Sequence, residues 1–298
     1  MSKPDQQGGS GETMKYHKPQ DFDEASRLAA GAKGATRFLA GGTDVLVQMR
    51  ADVFTPDEII DLKHIPGVKD ITRRADGGWT IGIAVSGAEM SEHADLHAEW
   101  PGLVEAMDLI GSTQVQGRAT LVGNLCNASP AADSVPAMIA AGVTVTVTGP
   151  NGSREVAVED IPTGPGKTAL ARGELISAVN IPARGDHGGD AYERFIPRTE
   201  MDIAVVGVGI NLRLDGDTVT EARVGLGAVA PTALLVQEAA DAIIGTTLDD
   251  AALDKLAAAT SAACKPINDK RGTVEFRTHV AGVLARRVAL TAYKRAKG

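Results

Sequence analysis

Two cysteines, Cys126 and Cys264, are all that 298 residues contain. That scarcity excludes a disulfide framework, a paired-cysteine metal site and a four-cysteine iron–sulfur cluster held by this chain alone. A reducing compartment, the cytoplasm, suits such a chain. Cationic excess is also missing. The formal net charge is −8, which argues against nucleic acid or an anionic membrane surface as the main partner. No apolar run reaches the ~18–20 residues of a membrane span. Among six histidines only His93 and His97 stand at a ligand-like spacing, and beside Glu92 and Asp95 they read as a solvated helix face before they read as zinc ligands.

Two phosphate-binding signatures are absent as well. There is no Gly-x-x-x-x-Gly-Lys-Ser/Thr, and no Gly-x-Gly-x-x-Gly between a strand and a helix with an acidic residue ~20 positions on. The stretch "VGVGINL" (206–212) comes near, but it lacks the third glycine and alternates like a strand. We read it as sheet and expect no Rossmann unit.

What is present is an ordinary soluble balance, 43 % apolar and 23 % charged, in a chain long enough for two or three folded units. The polar, glycine-rich "MSKPDQQGGSGET" is expected to be a disordered leader or tag over 1–13, with the fold starting at Met14. Residues 21–32 have helical spacing and an acidic first turn. A strand over 36–39 and a short helix or extended segment over 45–49 follow. Strands are expected at 58–61, 68–72 and 79–83, then a helix over 102–110. The irregular stretch 111–134 is long for a connection, and such loops are usually functional. A helix over 135–141 leads into strands at 143–148 and 154–158 joined by a Gly-Pro-Asn-Gly turn, and to a strand over 174–181. The turn-rich "ARGDHGGD" (183–190) divides the chain. Beyond it, a hairpin of strands at 203–214 and 218–229 precedes helices near 233–243, 248–262 and 273–296, which suggests a separate α+β unit.

The chemistry is concentrated in two loops. In "LAGGTDVL" (39–46), Gly41 and Gly42 remove Cβ at consecutive positions, which permits positive φ and N–H groups turned to one point. An anion nest and a plain turn both fit that motif alone. Thr43 adds a hydroxyl. The later stretch "ATLVGNLCNASPAADS" joins Thr120, Gly123 and Asn124 to Ser129-Pro130 and Asp133-Ser134. Two such loops can clamp one pyrophosphate. Asn124 is placed to bridge backbone groups, and Asp133 to cap the helix entering Val135 or to accept from a ligand hydroxyl.

The pair "AGGTDVL" (40–46) and "TLVGNLCNASPAAD" (120–133), with "ELISAVNIP" (174–182), "YERFIPRTEMDIAVVGVGINL" (192–212) and "GLGAVAPTAL" (225–234), resembles the FAD-binding medium subunit of the xanthine dehydrogenase and carbon monoxide dehydrogenase family of molybdenum hydroxylases. The likeness covers nearly the whole chain from Met14. It implies an α+β fold, with a two-subdomain FAD-binding portion of the vanillyl-alcohol-oxidase (PCMH) type over 14–186, divided near 65. A C-terminal domain over 187–298 would carry a three-stranded antiparallel sheet and a helical bundle.

Position by position, the resemblance assigns Leu39, Ala40, Gly41, Gly42, Thr43, Asp44 and Val45 to one side of the FAD pyrophosphate. Thr120, Val122, Gly123 and Asn124 take the other side. It matches Asp133 to an acidic FAD contact, Ile110 and Gly111 to a loop near the flavin ring, and Ile176 to an apolar position beside the cofactor. Arg194 stands where the family often has lysine, and Arg198 and Asp202 complete that run. The chain departs from the pattern at Val122, where glycine is common. A Cβ there leaves FAD affinity dependent on which way the side chain points. It departs again at Gln116, where arginine is frequent, so that Arg118 would supply the charge near that loop.

What the resemblance implies for function is electron transfer. A large subunit would oxidise substrate at a molybdenum–pterin centre, a small one would relay electrons through [2Fe–2S] clusters, and FAD on this chain would pass them to an external acceptor, in a dimer of heterotrimers. Two other classes share the glycine-rich loops: a free-standing FAD oxidoreductase such as the enolpyruvyl-reducing type, and a scaffold subunit that has lost FAD. Cys126, inside the second loop without a sequence partner, reads as a buried structural thiol rather than a redox group.

Overall fold

Among the described residues three larger sheets follow one another along the chain, with one small two-stranded hairpin beside them, and the spaces between them place the functional residues. The computed structural model describes residues 14–298; the expected leader over 1–13 lies outside the described residues. The first sheet comes from β1 (Lys15–His17), α1 (Phe22–Gly31), β2 (Thr36–Leu39), α2 (Val45–Arg50) and β3 (Glu58–Asp61), with parallel order β1-β3-β2. Helix α1 begins where Asp21 accepts the Glu24 N–H at 2.6 Å, a side-chain cap of the usual kind. The central β3 is buried at all four positions, as a covered parallel strand must be.

The second sheet is antiparallel. Its first strands, β4 (Ile71–Arg73) and β5 (Trp79–Ile81), lead into α3 (Gly87–Glu92), α4 (Ala94–Glu99), α5 (Pro101–Asp108), α6 (Thr113–Gln116), α7 (Leu121–Cys126) and α8 (Ser134–Ala140). The chain then returns through β6 (Thr144–Gly149), β7 (Gly152–Ala157), the small hairpin β8 (Pro162–Gly164) and β9 (Lys167–Thr168), and β10 (Leu175–Ile181). The sheet order is β4-β5-β10-β6-β7. Two expectations change here. The stretch 111–134 is not structureless but holds α6 and α7, because Thr120 caps α7 by accepting the Gly123 N–H at 2.9 Å. The strand expected over 68–72 shifts to 71–73, because the Pro66-Gly67 turn runs on and the Val68 carbonyl is taken by the Ala84 N–H at 2.7 Å.

The third sheet is antiparallel with order β11-β12-β13-β14, from β11 (Gly188–Phe195), β12 (Val206–Asp215), β13 (Thr218–Gly227) and β14 (Leu234–Leu235). It is backed by α9 (Gln237–Asp241), α10 (Asp250–Ala263) and α11 (Val274–Ala296). To the three long strands expected, the structure adds a two-residue edge strand. It occupies the start of the helix expected at 233–243, since Leu234 and Leu235 pair with Leu226 and Gly225. One apolar core gathers the first two sheets with α3, α5 and α8, and a second lies between β11–β13 and the C-terminal helices.

Helix α8 joins the two cores. All seven of its residues are buried, and it lies on the glycine positions of β12 and β13. A Cβ at Gly209 would fall 2.8 Å from the Pro136 carbonyl oxygen, and one at Gly225 only 2.1 Å from it. Polar ties flank the contact. Asp190 on β11 accepts the Leu103 N–H at 3.0 Å and Arg184 at 2.6 Å, while Arg223 donates to the Ile139 carbonyl and to Glu159, both at 3.0 Å.

Candidate functional site

Between the first two sheets opens a cleft of about 990 Å³, at the upper end of the ~300–1,000 Å³ typical of ligand sites. Its floor is set by β2, which delivers the chain into Ala40-Gly41-Gly42-Thr43-Asp44, all lining the cleft, before α2 begins at Val45. The N–H groups of Gly41, Gly42, Thr43 and Asp44 find no acceptor among the described residues. Buried or lining backbone donors do not stay unpaired in a working protein, so this row of N–H groups is a binding surface for an anion or for water.

The two glycines reach that state for different reasons. Gly42 has φ +81°, the left-handed region that glycine adopts without penalty. Gly41 is held against the second loop: a Cβ there would lie 2.0 Å from the Arg118 carbonyl oxygen, and the Arg118 Nε donates to the Gly41 carbonyl at 3.1 Å. The two loops, far apart in sequence, are thus in backbone contact.

The opposite wall is the first turn of α7. Thr120, Val122, Gly123 and Asn124 line the cleft. The Gly123 N–H is spent on the Thr120 cap, while the Val122 N–H has no partner among the described residues. Val122 is 8 % exposed and packs its side chain into the first core. The second loop therefore carries a backbone donor at 122 without a partner among the described residues, and the Val122 side chain packs mostly into the first core while still bordering the cleft. Asn124, expected to bridge backbone groups, instead holds a single residue, its Oδ1 accepting from the Ser134 N–H at 3.2 Å and the Ser134 hydroxyl at 2.7 Å.

Ile110, Gly111 and Ile176 also line the cleft, and Cys126 joins them with its thiol pushed up to about 12 by burial, which leaves it protonated and unreactive. Leu39, Asp133 and Arg194 do not line it. Leu39 is buried at the end of β2. Asp133 does not cap α8 either, since its own backbone is helical and it makes no side-chain cap; Asn124 holds the Ser134 N–H instead. Its carboxylate accepts the Tyr192 hydroxyl at 2.9 Å and Arg194 at 2.6 Å. Burial raises its pKa to about 6, with Arg194 and Tyr192 pulling the other way. Arg194, 4 % exposed at its side chain, keeps an Nε without a partner among the described residues.

Sequence reading missed the wall formed by 166–175, where Gly166, Thr168, Leu170, Arg172 and Gly173 line the cleft on the approach to β10. Its one signal was a glycine-rich run ahead of a predicted strand. It also missed Met201, which the β11–β12 connection brings to the rim from the third sheet. Arg198 and Arg271 neutralise Asp202 in that connection and hold its carboxyl down near 2, Arg198 contributing most. His93, expected on a solvated face, caps α4 through the Leu96 N–H at 3.3 Å and packs edge-on against Trp79.

Unpaired N–H donors on two facing loops, a glycine at positive φ and mixed apolar walls of this size fit a dinucleotide flavin. Residues 12–184 match the family described as the FAD binding domain in molybdopterin dehydrogenase, and residues 191–292 match the CO dehydrogenase flavoprotein C-terminal domain. The carbon monoxide dehydrogenase medium chain of Afipia carboxidovorans is 34 % identical over 287 residues, 95 % of this chain and 97 % of that one. A putative xanthine dehydrogenase FAD-binding subunit of Escherichia coli K12 is 29 % identical over 284 residues, again 95 % and 97 % of the two chains. Among solved structures, carbon monoxide dehydrogenase from Hydrogenophaga pseudoflava superposes with a TM-score of 0.90 at 30 % identity, covering 95 % of this chain and 98 % of that one. The chain therefore belongs to the FAD-binding flavoprotein, or medium, chains of the molybdenum-containing dehydrogenases, which are oxidoreductases.

Proposed function

We propose that this chain is the electron-transfer subunit of a multi-subunit molybdenum hydroxylase of the cytoplasm. FAD bound here would supply the redox chemistry, taking electrons from [2Fe–2S] clusters on a small partner chain and giving them to an external acceptor. The observation that carries the reading is the cleft with the N–H groups of 41–44 on one loop and that of Val122 on the other, none of them paired among the described residues. The backbone at 41–44 and at Val122 would hold the pyrophosphate, while Ile110, Leu170 and Ile176 would exclude water from the ring. With two cysteines in the sequence, the clusters belong on the small partner and a molybdenum–pterin centre on a large one, within a dimer of heterotrimers. We place the division between FAD-binding and C-terminal domains in the linker at 186–187.

The test is spectroscopic and compositional. The purified chain, or the chain reconstituted with FAD, should show flavin absorbance and should co-purify from its source with an iron–sulfur chain and a molybdenum chain. A protein that stays colourless after reconstitution would sink the FAD reading and favour a scaffold. A chain that oxidises a substrate unaided would favour a free-standing oxidoreductase.

A further inference from the structure

We propose that Arg118 is a positioning residue for the cofactor, setting the direction of the phosphate-binding peptide in the first loop; this assignment rests on the FAD reading above. Arg118 lies on the exposed turn between α6 and α7. Its Nε reaches back 77 residues to the Gly41 carbonyl at 3.1 Å. No peptide bond among the described residues is cis, and in a trans peptide the C=O and N–H point opposite ways. A Gly41 carbonyl held by Arg118 therefore turns the Gly42 N–H away from Arg118 and toward the cleft.

Arg118 is the side chain that fixes this peptide. Two adjacent glycines leave it freer to rotate than other residues would, and the N–H groups of 41–44 have no acceptor among the described residues to hold them, the next tie being the Leu46 N–H to the Gly42 carbonyl at 3.2 Å. The second contact works in the same direction. The Arg118 carbonyl oxygen occupies the space where a residue 41 side chain would begin, 2.0 Å from that Cβ position, so both ends of Arg118 locate the loop. The guanidinium also places a fixed charge beside the Gly41 carbonyl, where Gln116 supplies none; the Gln116 side chain instead donates to the Asp108 carbonyl.

The experiment measures FAD and riboflavin binding by calorimetry on the deflavinated chain, with thermal unfolding alongside, for wild type, Arg118→Ala and Arg118→Lys. Because the side chain is exposed, removing it should leave the unfolding midpoint within about 2 °C of wild type. FAD Kd should rise on the order of tenfold or more in Arg118→Ala, the loss expected for a charge-assisted hydrogen bond. Arg118→Lys restores the charge but not the planar Nε donor, so it should recover only part of that loss. Riboflavin, which has no phosphate, should not distinguish the three proteins.

An Arg118→Ala protein that binds FAD within twofold of wild type overturns the assignment while leaving the FAD reading intact. So does full recovery by lysine, which would reduce Arg118 to a charge. An equal loss for riboflavin, or a loss that follows a fall in unfolding midpoint, would show a merely structural role. A wild-type chain that binds no FAD removes both readings together.

Discussion

At Gly42 the backbone turns through φ +81° beside an open cleft, and the nearest atoms to a would-be Cβ are the mobile ends of Leu39 and Leu46 at 3.0 and 3.2 Å. At Gly225 the backbone is an ordinary strand, and the nearest atom is the Pro136 carbonyl oxygen at 2.1 Å. Both glycines stand in short Gly-rich strings between apolar residues. The first is glycine because of its own conformation and the donors it exposes. The second is glycine because another backbone lies on it. A glycine-rich string is thus uninformative until one knows whether its neighbour is space or protein. The "VGVGINL" string illustrates the point, for its Gly209 receives α8 rather than a phosphate.

The largest effect is expected at the packed site. Gly225→Val must drive Cβ into a helix backbone that cannot retreat without opening both cores. We expect a loss of more than ~3 kcal/mol, the upper range for overpacking, seen as a collapse of the cooperative unfolding transition or as insoluble protein. A soluble variant with an unchanged midpoint would show that α8 is not seated there. Gly42→Val is expected to fold, since its neighbours are flexible and the cost of positive φ is about 1–2 kcal/mol. Its flavin content per folded molecule should nonetheless fall on the order of tenfold, because the donor row is displaced. Unchanged flavin content would mean that the phosphate lies elsewhere.

The same contrast explains how much could be read beforehand. Glycine punctuation, strand alternation and the helical spacing with an acidic first turn over 21–32 are local, and the elements they predict are largely found. Asn124 was legible as a hydrogen-bonding residue but not for its partner, since its Oδ1 takes both the N–H and the hydroxyl of Ser134. Three features were not legible because they depend on what lies across a gap. Asp133 reads as a cap from the residues after it, yet Tyr192 and Arg194 claim its carboxylate from β11. Gly41 reads as half of a nest, yet its missing side chain makes room for Arg118. The wall at 166–175 comes to the cleft only through sheet order, β10 pairing between β5 and β6.

Val122 is the opposite case, a large residue where small ones are usual. Its side chain packs in the first core, while its N–H has no partner among the described residues. Val122→Gly should therefore leave flavin content per folded molecule unchanged. Stability should fall by about 2–3 kcal/mol, from lost apolar burial plus the helix cost of glycine in α7. Denaturant titration and flavin absorbance on one preparation separate the two effects. A gain in FAD affinity with stability unchanged would mean that the side chain had been crowding the cofactor.

The smallest expected effect lies at the Asp133, Tyr192 and Arg194 junction, which joins the second loop to β11. Burial, the largest influence, raises Asp133 from 3.8 to about 6, and Arg194 and Tyr192 only partly oppose it. A carboxyl whose folded pKa exceeds its unfolded one binds its proton more tightly when folded. It contributes stability that is fully present below the unfolded value and is lost as pH rises through the folded one. Asp133→Asn removes this titration and adds a constant offset from the changed partner of Arg194. The difference in unfolding midpoint, wild type minus variant, should thus be largest below pH 4 and shrink by roughly 2–4 °C on passing to pH 7. A difference that grows over the same range would show that the Arg194 pair outweighs burial and that Asp133 is an ordinary ionised partner. In that case the junction would weaken on acidification, and flavin release at pH 4–5 would begin with the second loop rather than the first.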